Sequence, residues 1–120
     1  MSTTKHILVV EDEALIALDM ETTLRDLGHR VTTAATTGVA EVVLAANEID
    51  LAVLDYHLKD GTCDMLARSL KQKSIPFVIC SGTAGLSELG QAFQGALFLA
   101  KPFTSDALVD ALLVAQRIQA

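Results

Sequence analysis

The chain has few cysteines, no excess of basic residues and no long apolar run, and each shortage excludes a class of protein. Its two cysteines, Cys63 and Cys80, form neither a disulfide framework nor a zinc-ligand pattern, so we expect a reducing, cytoplasmic setting. The formal net charge of −6 argues against nucleic-acid binding, because phosphate contacts need basic patches. No apolar run reaches membrane-spanning length, and residues 1–6 lack the apolar core of a signal peptide. We therefore expect a domain that binds neither nucleic acid nor a membrane.

Short apolar runs alternate with amphipathic segments along the 120 residues, of which 51% are apolar. The expected strands are 6–10, 30–34, 51–55, 77–80 and 96–100. The expected helices are 13–27, 37–46, about 63–72 with Thr62 as its cap, and a last one capped by Thr104, whereas the glycine-rich stretch 82–95 predicts only a short or irregular fourth helix. His6, at the edge of an element, is expected in solvent. The residues expected on the buried face of the first helix are Ile16, Met20, Leu24 and Leu27, and those expected on the core face of the last are Leu108, Ala111, Leu112 and Ala115. This order of strands and helices predicts one doubly wound α/β domain over residues 1–120. We expect a five-stranded parallel sheet in the order 2-1-3-4-5, with helices on both faces.

Polar residues follow four of these apolar runs. Glu11 and Asp12 end the first, Asp55 the third, Ser81 the fourth and Lys101 the fifth. Taken singly, the acids and the serine have ordinary readings: acids favour the first turn of a helix, an Asp at a strand end is common at turns, and a Ser-Gly pair is an ordinary turn. Lys101 directly follows five apolar residues, a position that favours a functional role. Together, at the carboxyl ends of parallel strands, they predict one site.

This set of residues suits Mg²⁺ and a phosphoryl group. Mg²⁺ prefers oxygen ligands, which Asp12, Asp55 and Glu11 offer. A divalent cation would relieve the repulsion among three carboxylates and keep Asp55 ionised as a nucleophile. Lys101 and the Ser81 hydroxyl could meet the oxygens of a transferred phosphoryl group, and the backbone carbonyl of His57 could reach the metal.

The chain resembles the receiver domain of two-component response regulators, a CheY-like fold. The motifs that carry the resemblance are Ile-Leu-Val-Val-Glu-Asp-Glu at 7–13, Val-Leu-Asp at 53–55, Ser81, Phe98 and Lys-Pro-Phe at 101–103. The resemblance implies that Asp55 accepts a phosphoryl group, with Mg²⁺, from a sensor histidine kinase or histidine phosphotransfer protein. It implies that Ser81 and Phe98 then rearrange and that Pro102 follows a cis peptide bond. A protein target downstream is implied without being identified.

Three features depart from the common receiver pattern. Glu11 replaces a more usual Asp, and the loop after Asp55 lacks the usual proline. The stretch Ile-Pro-Phe-Val-Ile-Cys-Ser-Gly at 75–82 resembles an atypical receiver subgroup of alphaproteobacteria, often called FATGUY, in which the fourth helix is reduced. We expect either a stand-alone receiver or a piece of a longer protein, and either a monomer or a phosphorylation-dependent dimer.

Three other functions fit parts of this sequence. A phosphorylation-independent interaction module would keep the fold, and the replacement at Glu11 leaves it open. A Mg²⁺-dependent phosphohydrolase usually carries Asp-x-Asp, but His57 occupies the second acidic position. A nucleotide-binding module needs a glycine-rich phosphate loop after the first strand, and the acids stand there instead. We therefore expect no enzyme beyond a chain that catalyses its own phosphotransfer and dephosphorylation.

Overall fold

A five-stranded parallel sheet forms the centre of the computed structural model, which describes residues 4–82 and 96–119. Its strands are β1 (His6–Val10), β2 (Arg30–Ala34), β3 (Leu51–Asp55), β6 (Phe77–Ser81) and β7 (Leu97–Ala100). They lie in the order β2-β1-β3-β6-β7, which confirms the predicted order once two short strands outside this sheet are left out of the count. The expected irregular fourth helix falls on residues 83–95, outside the described part of the chain.

Helices cover both faces of the sheet, as the doubly wound prediction requires. They are α1 (Ala14–Asp26), α2 (Thr37–Ala46), α3 (Asp64–Gln72) and α4 (Ser105–Gln119). Buried side chains of α1 and α4 pack on one face, and those of α2 and α3 pack on the other. The two faces are separated by strands whose side chains alternate between them, which is why β1, β3 and β6 are buried along their whole length.

The ends of the helices follow from local chemistry. Helix α1 stops before Gly28, whose positive φ of +93° lets its N–H donate to the carbonyl of Arg25 at 2.9 Å. The Thr36 hydroxyl caps α2 by accepting from the N–H of Val39. The Thr104 hydroxyl accepts from the N–H of Ala107 at the start of α4, the cap that the sequence predicts.

Three local expectations were wrong. Leu27 was expected to continue the buried face of α1 but is 54% exposed, because the helix ends one residue earlier. Thr62 was expected to cap α3, but its hydroxyl donates to the carboxylate of Asp64 instead. His6 was expected in solvent, yet it is buried and its Nε2 lies 2.7 Å from the Thr32 hydroxyl.

The segment after Asp55 was expected as a plain loop and is a small antiparallel hairpin. Its strands are β4 (His57–Leu58) and β5 (Gly61–Thr62). Gly61 has a φ of +132°, which favours glycine at the turn. Leu58 anchors the hairpin in the core, whereas His57 is exposed.

Among the described residues, every helix is too short or too polar to cross a bilayer.

Candidate functional site

Strand register brings the predicted site residues to one edge of the sheet. Val10 pairs with Leu54, so Glu11 follows beside Asp55. Asp55 in turn pairs with Cys80, and Ser81 pairs with Ala100, the residue before Lys101. The carboxyl ends of β1, β3, β6 and β7 therefore meet where the order of the strands reverses, which is where ligands bind in such sheets.

Three carboxylates form the acidic part of the site. Glu11, Asp12 and Asp55 each offer one oxygen, and these oxygens all lie within 4.8 Å of one another. Glu11 and Asp55 are buried, and Asp12 is half-buried. An all-oxygen donor set of this kind fits a hard divalent cation better than a soft one.

Lys101, which directly follows β7, supplies a cation to this cluster. Its Nζ lies 2.7 Å from Oε1 of Glu11 and 3.3 Å from Oδ2 of Asp55. The Glu11 side chain is fully buried, and that of Lys101 is 18% exposed. One cation thus bridges two carboxylates that would otherwise repel each other.

Besides its ion pair with Lys101, Glu11 makes two hydrogen bonds with the backbone. Its N–H donates to the carbonyl of Ala34 on β2, and its Oε2 accepts from the N–H of Glu13.

Burial raises the pKa of the Glu11 carboxyl, and this outweighs the lowering by the hydrogen bonds from Lys101 and Glu13. Burial alone would lower the pKa of Lys101, but the hydrogen bond and charge of Glu11 and the charge of Asp55 raise it above its usual value. Lys101 therefore stays a cation.

Of the remaining predicted residues, Ser81 and Pro102 adjoin Lys101 and His57 lines the pocket, whereas Phe98 lies three residues before Lys101 on β7. Ser81 is buried at the end of β6, and its carbonyl accepts from the N–H of Lys101 at 3.0 Å. Phe98 is half-buried against the core on the α2–α3 face. The peptide bond between Lys101 and Pro102 is cis. The ring of His57 contacts that of Tyr56 edge-on, with ring centres 4.8 Å apart.

An open pocket of about 460 Å³ lies over the cluster. Its lining residues are Asp12, Glu13, Asp55, His57, Lys59, Gly82 and Lys101. Sequence reasoning missed Lys59, which belongs to the hairpin turn rather than to a strand end. The Asp-Gly turn signal at 60–61 marked the turn but did not show that it reaches the site.

Comparison with known proteins gives one family. The profile described as "Response regulator receiver domain" matches residues 7–113. The phyllosphere-induced regulator PhyR of Methylorubrum extorquens is 33% identical over 102 residues, which are 82% of this chain and 38% of PhyR. The transcriptional regulatory protein PdtaR of Mycobacterium tuberculosis is 28% identical over 92% of this chain and 56% of its own length. The chain thus spans about half or less of these curated relatives.

Solved structures agree with that match. A response regulator receiver protein from Sinorhizobium medicae superposes with a TM-score of 0.86 at 30% identity, over 98% of both chains. SdrG from Sphingomonas melonis superposes with a TM-score of 0.81 at 34% identity, over 97% of this chain and 99% of SdrG. With the acidic cluster and Lys101 at the expected edge of a 2-1-3-6-7 sheet, the conclusion is direct: this chain belongs to the receiver domain family of two-component response regulators.

Proposed function

We propose that this chain is a cytoplasmic, phosphorylation-switched receiver. It takes a phosphoryl group on Asp55 from a histidine kinase or histidine phosphotransfer protein and then changes its affinity for a protein target. The observation that carries the proposal is the convergence of three carboxylate oxygens within 4.8 Å and a lysine Nζ 3.3 Å from Asp55. The chain acts on itself only and turns over no separate substrate.

Mg²⁺ is the cofactor that suits this donor set. Glu11, Asp12 and Asp55 would hold it, and His57, which lines the pocket, could offer its backbone carbonyl as a further ligand. When bound, a divalent cation supplies charge neutralisation for the attacking carboxylate and for the phosphoryl oxygens. Because burial raises the pKa of Glu11, a divalent cation beside it would favour its ionised form.

The transfer step is a displacement at phosphorus. An Asp55 carboxylate oxygen forms the new O–P bond while the N–P bond of a phosphohistidine breaks, and the electron pair returns to the imidazole nitrogen. Lys101 supports this role, because a cation already close to the Asp55 carboxylate can meet the negative charge of the incoming group. The return step is hydrolysis of the aspartyl phosphate by water.

The switch follows from a competition for Lys101. A phosphoryl group on Asp55 attracts the ammonium that Glu11 and Asp55 now hold. The backbone N–H of Lys101 donates to the carbonyl of Ser81, so a shift of Lys101 would also move the ends of β6 and β7. Phe98 lies on β7, half-buried against the core, three residues before Lys101. Phosphorylation then favours one of two arrangements of this edge.

A surface for the phosphodonor lies next to the site. An apolar groove of about 390 Å³ runs between α1 and the Pro102 segment, and Lys101 forms part of its lining. Leu15 is 83% exposed and Leu18 56% exposed on the same helix. An apolar surface beside the nucleophile suits a partner that must present a phosphohistidine to Asp55.

The proposal is tested with beryllofluoride, which mimics an aspartyl phosphate without hydrolysing. We expect wild-type protein to bind it only with Mg²⁺ and to shift the amide resonances of Ser81 and Phe98. Asp55→Asn should show neither effect. If beryllofluoride leaves the wild-type amide resonances as unchanged as those of Asp55→Asn, the result would contradict a switch at Asp55 and favour a phosphorylation-independent module.

A further inference from the structure

The hairpin that follows Asp55 is held firmly at its base. Leu58 is 8% exposed and packs into the core between α2 and α3. The N–H of Cys63 donates to the carbonyl of Tyr56 at 3.2 Å, which closes the base of the hairpin. The turn residues Lys59 and Asp60 project from this base and are exposed.

The tip of the hairpin is tied to a different element, the first turn of α2. The Asp60 carboxylate accepts three hydrogen bonds there: from the Thr37 N–H at 3.0 Å, the Thr37 hydroxyl at 2.7 Å and the Gly38 N–H at 3.2 Å. We call this set of contacts the Asp60 clamp. The first N–H groups of a helix lack partners within the helix, and the helix dipole favours a carboxylate beside them. Consistent with these bonds, the pKa of Asp60 lies below its usual value.

The clamped hairpin forms one wall of the functional pocket. His57 and Lys59 line that pocket together with Asp12, Asp55 and Lys101. Asp60 follows Lys59 directly but does not line the pocket itself. The clamp thus fixes the turn between the pocket on one side and α2 on the other.

We propose that Asp60 is a positioning residue for the phosphoryl-transfer site. By tying the hairpin tip to α2, it holds His57 and Lys59 at the pocket wall. It thereby sets the Mg²⁺ affinity and the rate of phosphorylation without touching the metal or the phosphoryl group. This inference rests on the proposed function. The ordinary alternative is that Asp60 only caps α2 and contributes to stability alone.

A matched pair of variants separates these two roles. Asp60→Ala removes the clamp, whereas Thr36→Ala removes the other side-chain cap of the same helix end, the bond to the N–H of Val39, and leaves the hairpin tied. Asp60→Asn keeps an acceptor oxygen and should restore part of the function. The free energy of unfolding of each variant shows how far stability alone has changed.

The measurements are the Mg²⁺ dissociation constant by calorimetry and the phosphorylation rate with acetyl phosphate at saturating Mg²⁺. We expect Asp60→Ala to weaken Mg²⁺ binding by about ten-fold, the loss typical of residues that orient metal ligands, and to slow phosphorylation. Thr36→Ala should keep both values close to wild type at a similar loss of stability, and Asp60→Asn should fall between. Equal Mg²⁺ affinities in Asp60→Ala and Thr36→Ala would overturn the positioning role.

Three further outcomes each have a defined meaning. If Asp60→Ala does not fold, Thr37→Val removes only the hydroxyl bond of the clamp, and the same comparison with Thr36→Ala decides the matter. A wild-type protein that neither binds Mg²⁺ nor accepts a phosphoryl group would overturn the proposed function together with this inference. A working wild type with an unaltered Asp60→Ala variant would overturn the inference alone.

Discussion

Lys101 and Glu11, which are 90 residues apart in the chain, form the shortest ion pair of the site, with Nζ 2.7 Å from Oε1. Glutamate is one methylene longer than the more usual aspartate, so its carboxylate can reach the lysine from the end of β1. Lys101, the cation that a phosphoryl group on Asp55 would need, is therefore already paired with Glu11. In the proposed mechanism, activation would redistribute Lys101 from Glu11 toward the new phosphoryl group.

Asp12 is expected to carry much of the metal affinity. Because it is half-buried and lies within the three-carboxylate cluster, Asp12→Ala removes a ligand without opening the core. We expect calorimetry to show Mg²⁺ binding weakened by at least about ten-fold. Asp26→Ala, which removes the same charge from the exposed far end of α1, is the control and should bind Mg²⁺ as wild type does. An unchanged affinity in Asp12→Ala would exclude Asp12 from the metal site.

Removal of Lys101 should separate metal binding from the response to phosphorylation. Lys101→Ala leaves the buried Glu11 and Asp55 carboxylates without their cation, so we expect the free energy of unfolding to fall by about 3 kcal/mol without Mg²⁺. Mg²⁺ should bind at least as tightly as in wild type, because a competing cation is gone, and should restore much of the stability.

The response of Lys101→Ala to an aspartyl-phosphate mimic is measured by adding beryllofluoride and recording the amide resonances. We expect no shift at the Ser81 and Phe98 amides, because the group that links Asp55 to the ends of β6 and β7 is missing. Lys73→Ala, at an exposed lysine after α3, should behave as wild type. A normal response in Lys101→Ala would count against its place in the switch.

The buried thiols predict a loss of stability at alkaline pH. Burial raises the pKa of Cys63 and of Cys80 from 9.0 to about 12. Between these values the unfolded chain loses the thiol protons and the folded chain keeps them, so rising pH favours unfolding. Urea unfolding at pH 8 and pH 10 should show a loss of about 1 kcal/mol for each thiol. The Cys63→Ala/Cys80→Ala protein should lose this part of the pH dependence; an identical dependence would contradict the assignment.

Much of the fold follows directly from the order of residues. The segment 51–55 forms a strand and the segment 37–46 forms a helix, each over its predicted range, because a short continuous apolar run favours a buried strand and the residues at 41–46 favour a helix. The buried face of α4 was also predicted: Leu108, Ala111, Leu112 and Ala115. The strand ends could be placed for the same reason, since parallel strands bring their carboxyl ends together.

The contacts that were missed depend on distant partners. The ion pair of Lys101 with Glu11 needs the three-dimensional distance between two strand ends, which sequence spacing does not give. The Asp60 clamp forms because a hairpin turn approaches the start of α2, where Gly38 lies 22 residues earlier in the chain. The Asp-Gly pattern at 60–61 predicts only a turn. His6 was misplaced because its partner, Thr32, lies on the neighbouring strand.

The central claim is that Asp55 accepts a phosphoryl group with the help of a divalent cation. It is tested by the intact mass of the protein after incubation with acetyl phosphate, with and without Mg²⁺, for wild type and Asp55→Asn. We predict one added phosphoryl group in wild type with Mg²⁺, and none without Mg²⁺ or in Asp55→Asn. A folded wild-type protein that gains no phosphoryl group and binds no beryllofluoride would contradict the account and identify a phosphorylation-independent module.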